Sequence, residues 1–447
     1  MKICNFCVKS KIMFSQKLFL LVILVADLQF SLAQKNNSRP NIIYIMADDL
    51  GYADLSCYGR KEYQTPSLDK LCSQGMKFMN AYAAAPVCSP TRVAFMTGRY
   101  PARLNAGLYE PITLADSLVG LSRETPSIAS RLHKAGYETY LVGKWHLGYL
   151  DKYKPLQNGF DYFYGSHGPA IDYISHSNDL YENEKPITQE GYATNLWADK
   201  AVEIISRQHS KPFFLAVMFN APHWPWQVPG DKPYPEPDER MDNWKAGGSA
   251  QIYANMMRNL DSAVGKIVKA IDDLHLQNNT IIIFTSDNGG ERYSDNGIYK
   301  GRKMSLWEGG IREPAFVRWT GTIKENLVTN QVATTMDWTA TILSVAGAKV
   351  NSKFMLDGID LKPVLTGKKK EVDRTLYWRI FQRVQHKAIR EGKWKWLQDE
   401  KGNEYLFDLS DDPSEKNNLK EKFTEITRRL KYKYDEWEKT VLAPIPL

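Results

Sequence analysis

The sequence predicts an α/β protein: a large, mixed, mostly parallel sheet sandwiched by helices, followed by a small C-terminal antiparallel sheet plus helix. Three observations carry this. Four apolar, β-branched runs read as strands buried on both faces, as parallel strands are. Helical patterns alternate with them, which is the signature of an α/β sandwich. After about Gly367 the pattern changes to short strand-like pieces separated by turns.

The first strand is 41–47, running into Asp48 and Asp49. A short helix over 67–71 opens on Ser67 as capping residue and stops before Gly75. At Cys88, Ser89 suits a helix cap and Pro90 the first turn, which puts Cys88 at the positive end of a helix dipole. A helix over 126–134 has Pro126 at its start and Gly136 beyond its end. The second strand, 139–142, runs into Lys144 and His146, and the third, 213–219, into Asn220 and His223. A longer helix spans 249–274, with Ile252, Met256, Leu260, Val264, Ile267 and Ile271 at helical spacing. The fourth strand, 280–285, runs into Asp287, Asn288 and two glycines. Ligands gather at the carboxyl ends of such strands. Four ends rich in Asp, Asn, His and Lys predict a single site.

Beyond the basic run 368–370, strands are predicted at 375–378, 386–389 and 394–397, with turn signals at Gly392 and at Gly402-Asn403. A charged helix over 414–439 follows. The reading divides the chain into a removable segment 1–33, a large domain 34–367 and a C-terminal subdomain 368–447.

Composition narrows the function. With 43% hydrophobic and 24% charged residues the chain is ordinary globular, neither disordered nor collagenous. The formal net charge is +7, and four lysines against one aspartate in residues 1–33 supply three of it. So mild an excess does not indicate a nucleic-acid partner and leaves an anionic substrate open. Five cysteines exclude a disulfide scaffold. Lys2, Lys9, Lys11 and Lys17 precede the apolar run 18–26, and Ser31-Leu32-Ala33 suits a signal peptidase. This predicts a signal peptide and an exported protein, periplasmic or secreted, starting near Gln34. No later run is long enough for a stable membrane span. Cys57 and Cys72 read either as two small buried thiols, the favoured reading, or as a disulfide worth roughly 3 kcal/mol.

Five ordered motifs carry a resemblance. Cys88, Pro90 and Arg92 form a C-x-P-x-R pattern, followed by Thr97, Gly98 and Arg99. The others are 41–51 with Asp48 and Asp49, 136–146 ending in Lys144 and His146, 286–290, and 303–314 with Lys303, Glu308 and Arg312. The tail segments 388–394 and 405–413 fit the same pattern. Nearly the whole mature chain thus resembles the type I, formylglycine-dependent sulfatases of the alkaline-phosphatase-like superfamily. It is similar above all to N-acetylgalactosamine-4-sulfatase-like and bacterial carbohydrate sulfatases.

The resemblance implies hydrolysis of sulfate esters of a carbohydrate, a sulfated polysaccharide or its oligosaccharides. It implies that a formylglycine-generating or sulfatase-maturating enzyme converts Cys88 to 3-oxoalanine, and that one Ca²⁺ is bound. The alternatives are a broad-specificity arylsulfatase, or a phosphatase or phosphonate monoester hydrolase of the same superfamily.

Chemistry supports these roles independently. Asp48, Asp49, Asp287 and Asn288 are hard oxygen donors suited to Ca²⁺ or Mg²⁺, and three carboxylates at two strand ends repel without a cation. The resemblance adds residue 88, as its matured form, to this metal set. Arg92, Lys144 and Lys303 are placed to neutralise the sulfate oxygens in the transition state. By resemblance, one hydroxyl of the hydrated aldehyde attacks sulfur, His223 protonates the leaving alcohol, and His146 takes the proton from the other hydroxyl as sulfate departs. His133, His209, His275 and His386 read as structural. Asp172 and His176, in a stretch resembling one that walls the substrate pocket in these enzymes, either bond sugar hydroxyls or bond within their own loop. Trp224 and Trp226 either stack on a sugar or pack.

Overall fold

The computed structural model describes residues 39–238, 241–382 and 384–445. The predicted signal peptide lies outside the described residues. Among those described, no helix is long and apolar enough to cross a membrane.

Ten strands form the main sheet: β1 (Asn41–Ala47), β2 (Met76–Tyr82), β3 (Glu138–Lys144), β4 (Tyr162–Ser166), β5 (Tyr181–Glu182), β6 (Lys185–Pro186), β7 (Phe213–Met218), β8 (Thr280–Ser286), β9 (Arg312–Trp319) and β10 (Leu327–Thr334). Their order is β10-β2-β9-β8-β1-β7-β3-β4-β5-β6. The run β8-β1-β7-β3-β4 is parallel throughout, whereas β9 is antiparallel to both its neighbours. The sheet is therefore mixed and mostly parallel, as predicted.

Strand β1 explains the layers. Ile43 and Ile45 enter one core with the helices Pro66–Ser73, Ala193–Ile205 and Ala250–Asp273. Ile42, Tyr44 and Met46 enter the opposite core, with Cys88–Thr97, Ile128–Lys134 and Thr335–Val345. Because side chains alternate along a strand, an unbroken apolar run is what fills two cores at once.

Several boundaries differ from expectation for local reasons. Ser249 caps its helix as predicted, accepting from Ile252 N at 3.1 Å. The helix predicted at Ser67 starts at Pro66, and Ser67 lies inside its first turn. Helix Ile128–Lys134 is capped by Ser127, whose hydroxyl accepts from Ser130 N, so Pro126 stands before it. Ser89 is no cap either. Val87 holds that position, and the Ser89 hydroxyl instead accepts from Ile112 N at 2.8 Å.

The tail forms an antiparallel meander of β11 (Thr375–Ile380), β12 (His386–Glu391), β13 (Trp394–Gln398) and β14 (Glu404–Asp408). Strand β14 is additional to the three predicted. Ile389, Trp396 and Leu406 pack on Leu430, Tyr434 and Trp437 of the last helix, and with Ala94, Tyr100 and Met336 of the larger part. Leu376, Trp378, Ala388 and Leu397 pack on Tyr82, Leu306 and Ile311. The last helix is shorter than predicted, Thr424–Glu438. Upstream, Asp412 accepts from Lys416 N and Asn417 N, and Asn418 from Leu406 N. Such local side-chain bonds compete with helix formation. Cys57 and Cys72 are free thiols, in line with the favoured reading.

Candidate active site

Because β8, β1, β7 and β3 are adjacent and parallel, their carboxyl ends open on one edge of the sheet. Strand β1 delivers Asp48 and Asp49, β8 delivers Asp287 and Asn288, and β3 delivers Lys144 with His146 two residues on. The turn after β7 delivers His223. Opposite them, Cys88 is the first residue of the buried helix Cys88–Thr97, at its positive end. Asp49 and His146 have φ of 63° and 56°. For residues other than glycine this left-handed backbone costs about 1–2 kcal/mol, offset here by the contacts it allows.

Three buried carboxylates face three cations. Asp48 Oδ2 lies 2.5 Å from Lys144 Nζ and 3.4 Å from Arg92 Nη2. Asp287 Oδ2 accepts from Arg92 Nε at 3.2 Å and Nη2 at 3.0 Å. Asp49 Oδ2 accepts from Lys303 Nζ at 2.7 Å, and Oδ1 from Asn288 Nδ2 at 2.8 Å. Burial raises Asp48, but Lys144, His223, Arg92 and Lys303 together hold it well below the usual carboxylate range. Asp287 is pushed up to about 7, by burial and by the charge of Asp48.

The donor set fits a hard divalent cation. Oxygen or sulfur atoms of Asp48, Cys88 and Asp287 lie within 4.8 Å of one another, as do ligand atoms of Asp48, Asp49 and His223. Asp48 Oδ1 and Asn288 Oδ1 are buried with no hydrogen-bond partner. Two such orphaned oxygens are costly unless an ion takes them. Three cations already face these three carboxylates, so an added divalent ion makes the site positive, which an anionic ester satisfies.

The histidines occupy opposite tautomers, assigned from their partners. His146 Nε2 faces Ile112 O at 2.8 Å and carries the proton, which leaves a lone pair on the buried, unpartnered Nδ1. His223 Nδ1 faces Trp224 O at 2.6 Å and carries its proton, so Nε2, 3.6 Å from Asp49 Oδ2, is the exchangeable atom. Burial first, then Lys144 for His146 and Lys303 for His223, pushes both imidazoles well below their ordinary values. Both rings rest neutral.

Cys88, His146, His223 and Lys303 open onto one cavity of about 700 Å³. Trp224 lines it, while Trp226 is buried against Tyr293. Glu291, Arg302 and Lys245 also line it. They carry no signal in the sequence beyond the place of the first two beside recognised motifs.

Asp172 and His176 make the internal hydrogen bonds that were the alternative to sugar binding. Asp172 is fully buried: Oδ1 accepts from Ile174 N and Ser175 N, and Oδ2 from Gln227 Nε2 and Tyr234 N. His176 is buried with Nε2 on Gly191 O at 3.0 Å. Both hold their own loop and neither lines the cavity. The structural reading of His209 and His386 holds: His209 bonds Glu138 and Ile204 O, and His386 bonds Glu400 and Leu306 N.

A strand edge that gathers buried oxygen donors, cations and two neutral histidines beneath one cavity is the site of an ester hydrolase of the alkaline-phosphatase-like fold. The chain belongs to the sulfatase family and is a sulfuric ester hydrolase: the family model for sulfatases matches residues 40–348. A second model, for the C-terminal part of N-sulphoglucosamine sulphohydrolase, matches 295–440. Human N-acetylgalactosamine-6-sulfatase is 33% identical over 80% of this chain and 72% of its own length. Mouse arylsulfatase J is 30% identical over 91% and 77%. Among solved structures, Ps i-CgsB in complex with k-i-k-neocarrahexaose superposes with a TM-score of 0.81, at 30% identity over 90% of this chain and 93% of that one.

Proposed function

We propose that this sulfatase is exported, to the periplasm or outside the cell, and hydrolyses sulfate esters of a carbohydrate, a sulfated polysaccharide or its oligosaccharides. In this reading Cys88 is matured to formylglycine, and one calcium ion is held by Asp48, Asp49, Asp287, Asn288 and residue 88. The observation that carries it is that Cys88, which shares a buried cluster with Asp48 and Asp287, lines a cavity of about 700 Å³ together with His146, His223 and Lys303. That space is far larger than a sulfate group and falls within the range of organic-ligand pockets. The bound carbohydrate in Ps i-CgsB, and the sugar named in the human relative, support the substrate class. Cys88 lines the cavity but is only 2% exposed, which favours its maturation before the chain has folded around it.

When bound, the ion supplies positive charge to the sulfate oxygens and the formylglycine supplies an oxygen nucleophile. The chain's own residues do the rest. Arg92 is locked by Asp287 and by Lys144 O, which fixes its guanidinium against the sulfate position. Lys144 and Lys303 add charge from the Asp48 and Asp49 sides. His223 Nε2 is unprotonated at rest; an arriving anion raises the basicity that burial and Lys303 suppress, so that Nε2 takes up a proton with the substrate and passes it to the leaving alcohol. His146 Nδ1 holds the lone pair that removes a proton from residue 88.

Matured enzyme should release sulfate from at least one defined sulfated oligosaccharide and leave the matching phosphate esters intact. Release from simple aryl sulfates alone would defeat the carbohydrate reading. Asp287→Ala and Asp48→Ala should each lower calcium affinity by about 100-fold or more, read as metal content after dialysis. Full calcium occupancy in both would contradict the ligand set.

A further inference from the structure

The segment from Lys303 to Arg312 begins at the catalytic cavity and ends under the small C-terminal sheet. We propose that Lys395, on β13, is a positioning residue of the active site: acting through Glu308, it sets the Lys303 ammonium against Asp49 and the cavity. The proposal rests on the sulfatase chemistry, not on the nature of the sugar.

Lys395 is fully buried, and its Nζ lies 2.9 Å from Glu308 Oε1 and 2.8 Å from Glu415 Oε1. Glu308 Oε2 accepts from Arg312 Nε at 2.7 Å and from Tyr82 OH at 2.6 Å. Glu415 Oε2 accepts from Glu308 N at 2.6 Å, and His386 Nδ1 accepts from Leu306 N at 3.2 Å. The tail part of the chain therefore grips this segment at Leu306, at the Glu308 backbone and at the Glu308 carboxylate. Burial raises the Glu308 carboxyl, but Lys395, Arg312 and Arg390 overcome it and keep the group charged.

The grip reaches Lys303 because the intervening turn is wound tightly on itself. Gly309 N donates to Lys300 O at 2.7 Å and Gly310 N to Trp307 O at 2.9 Å. A Cβ on Gly310 would lie 2.0 Å from Ser305 O, and one on Gly309 2.4 Å from Gly301 O. Lys303 N is tied to Gly290 O at 3.1 Å and Met304 N to Pro86 O at 2.8 Å, which joins the turn to the segments before Glu291 and before Cys88. These bonds and close approaches couple a shift at Glu308 to Lys303. Stability alone is a poor reason for the arrangement, since well-packed apolar groups often replace a buried ion cluster at no loss. Setting a cation to within a fraction of an ångström is a use that apolar groups cannot serve.

The test is a double-mutant cycle in the matured, full-length enzyme, followed by sulfate release. Lys395→Met should lower kcat/KM about 10–100-fold, chiefly in kcat, because misplacing a charge at the reacting centre costs on that scale. In a Lys303→Ala background the same change should cost less than about twofold. Lys395→Arg should recover much of the loss. Equal losses in both backgrounds would overturn the proposal and make Lys395 purely structural. Lys395→Met leaves two buried carboxylates without their lysine, so the charge-matched Lys395→Met/Glu415→Gln variant is measured beside it with the same expectation. A second readout needs no turnover: acylation of Lys303 by a succinimidyl ester, mapped by peptide mass, should quicken severalfold in either variant. An unchanged labelling rate would also overturn the proposal. A wild-type enzyme inactive on every sulfate ester would count against the sulfatase chemistry instead, and labelling would then decide the positioning alone.

Discussion

Cys88→Ala is expected to fold like the parent and to lose sulfatase turnover by about 10⁴-fold or more, the scale on which nucleophile removal acts. Cys88 is buried as the first residue of its helix, and alanine fits that place with only a small loss of packing. Its charged neighbours are held by Asp48, Asp49 and Asp287, not by the thiol, so the site should survive. A second arm separates the thiol from its matured form. Burial pushes the Cys88 thiol up, so the unconverted side chain is a protonated, poor nucleophile near neutral pH. Protein made without a maturation enzyme should therefore be as inactive as the alanine variant. In the active preparation, the Cys88 peptide should show loss of sulfur and two hydrogens and gain of one oxygen. Unchanged turnover in Cys88→Ala, or full activity with an intact thiol, would end the formylglycine reading.

His223→Ala should lose about 10²–10⁴-fold on a carbohydrate sulfate and much less on nitrophenyl sulfate, provided that ester is accepted. A sugar alkoxide is strongly basic and leaves only with a proton, whereas a nitrophenolate leaves without one. His223 Nε2 is the atom for this task, because Nδ1 is committed to Trp224 O and the ring lines the cavity. His146 differs. Its free Nδ1 is fully buried, and its loss should slow both substrates alike. Single-turnover rates are required, so that a slow later step does not hide the first. Equal losses on the two esters for His223→Ala would mean that it positions the sulfate rather than donating the proton.

Much of the site was legible in the sequence because its residues sit where local patterns change. Each of β1, β3, β7 and β8 is an apolar run that stops at a polar group, and burial on both faces is written into such a run. The C-x-P-x-R pattern around Cys88, the Asp48-Asp49 pair and the Asp287-Asn288 pair are equally local. Tertiary structure decided what no local pattern encodes. Strand order put β8, β1, β7 and β3 side by side, so that Asp48 meets Lys144 across 96 positions and Asp287 meets Arg92 across 195. Loop direction turned Asp172 and His176 inward, because four backbone and amide donors converged on one carboxylate and a carbonyl faced the imidazole. The same accounting shortened the last helix and made Ser127 the cap of another that begins at Ile128 rather than at Pro126. Least visible of all was the link from Lys395 to Glu308, 87 positions apart, since it exists only once the small sheet has packed. Periodicity along a chain reports how deeply each element is buried. Which buried charges meet is settled by long-range pairing, where every desolvated group must find its partner in space.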